Sequence, residues 1–64
     1  MLKINGEPSE ASGMTISDYL TEQGYNKKRI VVEINYEIIP KEKYDDIQLE
    51  DDDVVEIITF MGGG

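Results

Sequence analysis

The residue types that can support chemistry in this chain lie in a glycine run after the last apolar segment. The run is Gly62, Gly63 and Gly64. Without Cβ atoms it forms a slender, flexible tail, so the carboxylate of Gly64 can enter another protein's catalytic site, as in known modes of C-terminal recognition. A carboxylate must be activated before acyl transfer, so a nucleotide-dependent partner is expected. The same glycines also fit a frayed terminus without a function.

Charged runs offer weaker candidates for chemistry. Acidic residues cluster at 45–46 and 50–53, and hard cations prefer carboxylate oxygens. The calcium-loop spacing fails, because the fifth position from Asp51 is Val55. We therefore expect solvated acidic loops and no metal site. The basic run at 27–29 is expected to complement the negative end of a helix rather than to bind phosphate.

Composition narrows the functional classes. A chain of 64 residues forms one small domain and buries only about 60% of the surface that its unfolded form exposes. It has no cysteine and no histidine, which removes disulfides, thiolate zinc sites and the usual general base. We therefore expect a protein that is not itself an enzyme and holds no permanent cofactor.

Net charge narrows the partners. Six Lys and Arg against fourteen Asp and Glu give a net charge of −8, which disfavours nucleic acid and anionic membranes as partners. A basic protein surface is the natural complement, although acidity can also serve solubility alone. The sequence shows no secretory signal and no run near the about 20 apolar residues that span a bilayer. A soluble cytoplasmic protein is expected.

The first third of the chain predicts a hairpin. Residues 2–4 alternate apolar and polar types, and Asn5-Gly6 is a strong signal for a two-residue turn. The return strand is predicted around residues 7–12. Pro8 cannot donate a ladder hydrogen bond, which places that strand at a sheet edge.

A helix is predicted within residues 14–24. The stripe expected on its buried side has helical spacing and consists of Ile16, Tyr19, Leu20 and the polar Gln23. Thr15 or Ser17 can cap its first amides, and Gly24 suits a left-handed C-terminal cap.

The rest of the chain predicts further strands. β-Branched residues at 30–34 form the first of them, with alternate residues on one face. A turn is predicted at 35–37, followed by an edge strand at 38–39 that Pro40 ends. The connection at 41–46 is predicted to contain a helical turn with Tyr44, and Ile47 and Leu49 are predicted core anchors. An acidic turn at 50–53 then leads to a final strand at 54–61.

The four tyrosines are expected at the core edge, with their hydroxyls in water: Tyr19, Tyr25, Tyr36 and Tyr44. This order predicts an α+β fold, with one main helix packed on one face of a mixed sheet of four to five strands.

The final strand carries apolar residues on both faces. Alternation places Val55, Ile57 and Thr59 on one face, and the other face carries Val54, Glu56, Ile58 and Phe60. One helix covers only one face of a sheet. Ile58 and Phe60 therefore either lie beneath the connection at residues 41–49 or form a partner-binding patch together with Met61.

Taken together, these segments resemble the ThiS family, and the resemblance covers almost the whole chain. The residues that carry it are 4–7, 15–16 with 19–20, 32–35, 38–41 with Tyr44, and 53–64. Asp52 departs from the family pattern, which usually has Gly within an Asp-Gly-Asp turn. Aspartate tolerates left-handed backbone, so the turn can still form.

The resemblance implies a β-grasp (ubiquitin-like) domain at residues 1–61 and a flexible tail at residues 62–64. It implies a sulfur carrier whose Gly64 is adenylated by an E1-like adenylyltransferase of the ThiF type with ATP and magnesium. A sulfur donor system then forms a thiocarboxylate, which supplies sulfur to a thiazole synthase of the ThiG type in thiamine biosynthesis. Gly62, Gly63 and Gly64 are the expected partner-binding residues of the tail.

Two alternatives remain open from the sequence. The small subunit of molybdopterin synthase shares the fold and the glycine end, although its chain is usually longer. A ubiquitin-like modifier or plain interaction domain would use the same fold without sulfur chemistry.

Overall fold

The computed structural model describes residues 1–60, which form a mixed five-stranded sheet and one α-helix. The elements in chain order are β1 (Lys3–Ile4), β2 (Glu7–Pro8), α1 (Ile16–Gln23), a 3-10 helix (Lys27–Arg29), β3 (Ile30–Ile34), β4 (Glu37–Ile39), a second 3-10 helix (Lys41–Lys43) and β5 (Val54–Thr59). The sheet order is β2-β1-β5-β3-β4. The predicted α+β architecture is confirmed. Met61 and the glycine run lie outside the described residues, so the boundary between domain and tail stays a prediction.

Two tight turns set the register of the sheet. The Asn5-Gly6 turn has φ values of 52° and 82°, and the Asn35-Tyr36 turn has φ values of 51° and 71°. Left-handed backbone at both central positions is the geometry that suits two-residue hairpins, because its twist matches that of the strands. The hairpin prediction at Asn5-Gly6 is confirmed. The predicted turn at 35–37 is one residue too long, because Glu37 already pairs with Ile34.

The predicted return strand at 7–12 is wrong in length. β2 ends at Pro8, on the edge of the sheet as expected. Beyond it, the Ser9 amide donates to the Leu2 carbonyl at 2.9 Å, and the Ser9 hydroxyl accepts from the Ala11 amide at 3.2 Å. This local turn directs the chain away from the sheet, so that Ala11 is buried in the core.

The helix follows its sequence signals closely. Thr15 is the N-cap, and its Oγ1 accepts from the Asp18 amide at 3.1 Å. Gly24 ends the helix with φ of 81°. Ile16 and Leu20 are fully buried, Tyr19 is half-buried, and Gln23, the last member of the predicted stripe, is exposed.

The long connection between β4 and β5 packs on the helix side of the sheet. The Ile16 amide donates to the Ile47 carbonyl, and the Ser17 amide donates to the Tyr44 carbonyl, both at 3.0 Å. Leu49 is buried in the core, and Ile47 packs against it, as predicted. The buried core comprises Leu2, Ile4, Ala11, Ile16, Leu20, Ile30, Val32, Tyr44, Leu49, Val55 and Ile57. No helix among residues 1–60 is long and apolar enough to cross a membrane.

Two of the four tyrosines contradict the expected position at the core edge. Tyr44 is only 2% exposed, and its hydroxyl accepts a hydrogen bond from the Val32 amide at 3.2 Å. Its ring therefore belongs to the core, with the hydroxyl bonded to backbone and not to water. Tyr36 is 83% exposed, because the turn carries it beyond the sheet edge. Tyr19 and Tyr25 are partly buried against the core, as predicted.

The expected role of the basic run, to complement the negative end of the helix, is corrected for Lys27. The last turn of α1 carries no basic residue, and residues 27–29 form their own 3-10 helix. This segment turns back along the helix, so that Lys27 Nζ donates to Ser17 Oγ at 3.2 Å, near the start of α1. The Ser17 hydroxyl in turn donates to Asp45. Ser17 of the helix thus joins Lys27 to Asp45 of the connection.

The acidic turn before β5 forms as predicted, with Asp52 in left-handed backbone at φ of 70°. Asp52 Oδ1 also lies 2.7 Å from the Met1 ammonium. This hydrogen bond and charge raise the pKa of the ammonium above its usual 8.0. They also lower the pKa of the Asp52 carboxyl below 3.8.

We predict that Tyr44→Phe lowers the free energy of unfolding by about 1 kcal/mol, because the Val32 amide loses its hydroxyl acceptor in a buried site. Tyr36→Phe is the matched control and leaves stability unchanged, since that hydroxyl lies in solvent. Urea denaturation of both variants measures the difference. Equal stability of the two variants contradicts the buried hydrogen bond.

We predict a pH-dependent loss of stability for Asp52→Asn, which keeps a residue that tolerates left-handed backbone. The folded-state pKa of the ammonium is raised, so its stabilising effect is present below pH 8.0 and disappears as the pH rises through that raised value. The effect also fades as the pH falls through the lowered pKa of Asp52. Urea denaturation across pH, at low and high salt, measures this. A deficit that persists at high pH contradicts the ion pair as its cause.

Candidate functional site

The strand that leads to the glycine run is the central strand of the sheet. β5 pairs in parallel with β1 and antiparallel with β3. The Phe60 amide donates to the Arg29 carbonyl at 2.8 Å, which extends the ladder one residue past Thr59. The backbone is therefore fixed by hydrogen bonds up to Phe60.

Two asparagine side chains add further hydrogen bonds to this strand. Asn5 Oδ1 accepts from the Ile57 amide at 2.7 Å, and Asn35 Oδ1 accepts from the Val54 amide at 3.0 Å. Each asparagine also occupies the first central position of a tight turn. The two turns next to β5 thus hold it from both sides.

The two faces of β5 differ in burial. Val55 and Ile57 point into the core and are 1% and 7% exposed, whereas Ile58 and Phe60 are 43% and 55% exposed. The question left open by the sequence is answered by the connection at 41–49, which bonds to the helix on the opposite side of the sheet. Ile58 and Phe60 therefore face solvent.

These two residues belong to a larger surface, here called the outer face. Register places Val31 beside Ile58, and Glu33 between Ile38 and Glu56. The outer face consists of Lys3, Val31, Glu33, Ile38, Val54, Glu56, Ile58 and Phe60. The sequence predicted a patch at Ile58 and Phe60 and placed Val54 and Glu56 on the same face of the strand, but it missed the residues that β1, β3 and β4 contribute. Alternation within β3 carried the signal for Val31 and Glu33, because Ile30, Val32 and Ile34 define its inner side.

The carboxylate of Asp53 forms hydrogen bonds within and next to the acidic turn. Asp53 Oδ2 accepts from the Glu50 amide and Asp53 Oδ1 from Asn35 Nδ2, both at 3.1 Å. Across residues 1–60, no three acidic side chains are grouped so as to hold a metal ion. Within the described chain, the carboxylate of Asp53 shapes the turn.

A shallow depression of about 420 Å³ lies on the helix side. It is lined by Ser9, Glu10, Ala11, Met14, Tyr19, Glu22 and Gln23. Burial raises the pKa of the Tyr19 hydroxyl above its usual 10.0, so the phenol is neutral at physiological pH. The depression therefore presents no phenolate nucleophile there.

The arrangement of the sheet defines the class of protein. A mixed sheet with a parallel central pair, packed on one helix, is the β-grasp, or ubiquitin-like, architecture. The crystal structure of the thiamine biosynthesis protein ThiS from Geobacter metallireducens is similar, with a TM-score of 0.78 and 33% identity over 98% of this chain and 97% of that chain. The model of the ThiS family matches residues 2–64. This chain belongs to the ThiS family.

Characterised relatives match over the same span. The sulfur carrier protein ThiS of Bacillus subtilis is 43% identical, and that of Thermus thermophilus is 38% identical, each over the full length of both chains. A thiazole synthase of Paramagnetospirillum magneticum is 42% identical over 98% of this chain. This chain spans only 20% of that longer protein.

We predict that neighbouring isoleucines of β5 respond oppositely to truncation. Ile57→Ala costs about 2 to 5 kcal/mol of unfolding free energy, because it opens a cavity in the core. Ile58→Ala, the matched control one residue away, costs less than about 1 kcal/mol, because its side chain is exposed. Urea denaturation measures both. A large loss for Ile58→Ala contradicts the exposure of the outer face.

Proposed function

We propose that this chain is a sulfur carrier of thiamine biosynthesis and that the carboxylate of Gly64 is its reactive group. The observation that carries the proposal is the match over full length to two sulfur carrier proteins. The position of β5 supports it, because the central strand of the sheet leads directly to the glycine run.

The proposed chemistry takes place in partner active sites. A carboxylate oxygen of Gly64 attacks the α-phosphate of ATP, which is bound with magnesium by an E1-like adenylating enzyme, and pyrophosphate leaves. Hydrosulfide released by a sulfur donor system then attacks the acyl carbon, and AMP leaves, which gives the thiocarboxylate. The thiocarboxylate sulfur passes to a thiazole synthase. In this scheme the chain is a recyclable co-substrate and not an enzyme.

The role of the domain is to present the glycine run and to dock. Hydrogen bonds hold β5 up to Phe60, so a partner that grips the sheet also fixes the point from which the following residues extend. We propose that Ile58, Phe60 and Met61 contact the partner and that Gly62, Gly63 and Gly64 enter its channel. The exposed apolar side chains of Ile58 and Phe60 support this.

Thiazole formation is favoured over molybdopterin synthesis as the destination of the sulfur. Two thiazole synthases contain segments that are 42% and 33% identical to 98% of this chain. A thiazole synthase is therefore the proposed acceptor. Pull-down of a large molybdopterin synthase subunit in place of a thiazole synthase would contradict this assignment.

We predict that deleting Gly63 and Gly64 abolishes sulfur loading and changes stability by less than about 0.5 kcal/mol. Native mass spectrometry follows loading as the replacement of one oxygen by sulfur, with ATP, the adenylating enzyme and a sulfur source present. A second variant carries a bulky residue appended after Gly64. It keeps every native residue but blocks access to the reactive carboxylate, and it also fails to load.

Loading of the extended variant at the rate of the parent would contradict the role of Gly64. Attachment of the parent chain to lysines of other proteins, with no gain of sulfur, would indicate a ubiquitin-like modifier instead. A large loss of stability in the deletion variant would show that the glycines are structural.

A further inference from the structure

Two carboxylates lie directly opposite each other on the outer face. Glu33 of β3 and Glu56 of β5 are register partners in the antiparallel pair. Side chains in such positions have Cβ atoms about 4.5 to 5.5 Å apart, and like charges there destabilise a sheet. The isolated domain therefore carries a repulsive pair in the middle of its exposed face.

The described part of the chain supplies no salt bridge to this pair. The ion pair found within residues 1–60 joins Met1 to Asp52, before the start of β5. Lys3 shares the outer side of the sheet as the register partner of Val54, but it lies beyond ion-pair distance of both carboxylates. On the other flank, Glu33 pairs with the apolar Ile38.

The surroundings of the pair are apolar. Val31 and Ile58 form the next cross-strand pair along the face, and Ile38 is 67% exposed beside Glu33. A partner that covers these side chains removes water from the carboxylates, and buried charges without a counter-charge are costly. The partner must therefore bring a cation to this position.

We propose that the outer face binds a partner protein that places an arginine guanidinium between Glu33 and Glu56, with apolar side chains packed on Val31, Ile38 and Ile58. A guanidinium has five donors in a planar fork, which lets it bond two carboxylates at once. The low-dielectric surroundings strengthen this attraction once water is excluded. The negative net charge of the chain and the Glu33–Glu56 pair thus both favour a partner with a basic surface.

The position of the pair near the end of β5 limits the partner to a protein that receives the glycine run. Glu56 and Phe60 are four residues apart, which corresponds to roughly 13 Å along a strand. A standard interface buries about 800 Å² on each partner, enough to include both positions. This step rests on the proposed function: the adenylating enzyme is the first protein to receive the glycine run, and it is the partner that supplies the arginine.

A second copy of this chain is a poor occupant of the same surface. Face-to-face pairing would bring two Glu33–Glu56 pairs together between chains that each carry a net charge of −8. Like-charge juxtaposition at an interface costs several kcal/mol. A dimer through the outer face, detected by analytical ultracentrifugation and lost in Ile58→Asp, would overturn the proposal.

The test compares two double variants with equal loss of charge. Glu33→Gln/Glu56→Gln removes the pair, and Glu10→Gln/Glu22→Gln removes two exposed carboxylates that line the helix-side depression. Calorimetry measures binding to the adenylating enzyme of the same organism. We expect the outer-face variant to bind at least about tenfold more weakly and the control to change by less than about twofold.

Thermal melting separates this effect from misfolding. Removing the like charges leaves the outer-face variant at least as stable as the parent, so binding falls while stability does not. Glu56→Lys is also expected to lower the affinity for the enzyme without lowering stability, because the new cation pairs with Glu33 across the strands. Equal affinity of the outer-face and control variants would overturn the proposal, and so would a parallel loss of affinity and stability.

The loading assay keeps this inference distinct from the proposed function. A parent chain that binds the enzyme but gains no sulfur, with binding lost on removal of the pair, supports the docking surface and contradicts the carrier role. A parent that loads sulfur, with binding and loading unchanged on removal of the pair, overturns only the docking surface. A parent chain that the enzyme does not bind overturns both.

Discussion

The structure depends on the hydrogen bonding of its central strand. β5 closes the sheet between β1 and β3, and the side chains of Asn5 and Asn35 each accept a further bond from its backbone. Two short hairpins are thereby tied to a strand contributed by the far end of the chain. Such non-local contacts are entropically expensive to form, and the asparagines offset part of that cost while setting the register.

The same strand separates a buried, stabilising face from an exposed one. Val55 and Ile57 pack with the helix and the long connection, while Ile58 and Phe60 remain in solvent. In a domain of this size, the helix and the long connection cover only one side of the sheet. The uncovered side holds apolar residues and a like-charged pair, both unfavourable in the free domain and both favourable against a basic, apolar partner. Some stability is thus lost on the surface that we propose a partner covers.

Local signals made most of the fold predictable. Asn5-Gly6, the cap at Thr15 and Gly24 each act within a few residues, so their geometry can be read from the sequence. Tyr44 could not be placed in this way, because its burial depends on where the long connection meets the helix and β3. Lys27 was misassigned for a related reason: its long side chain bonds Ser17, a partner set by the path of the 3-10 helix rather than by sequence distance.

The sequence by itself determined the class of fold, the edge role of Pro8, the two-faced pattern of β5 and the family resemblance, because periodicity and turn chemistry are local properties. Only the tertiary structure decided that Ile58 and Phe60 are exposed, since this depends on which side of the sheet residues 41–49 cover. It alone brought Glu33 opposite Glu56, because register between strands distant in sequence is set by the packing of the whole sheet.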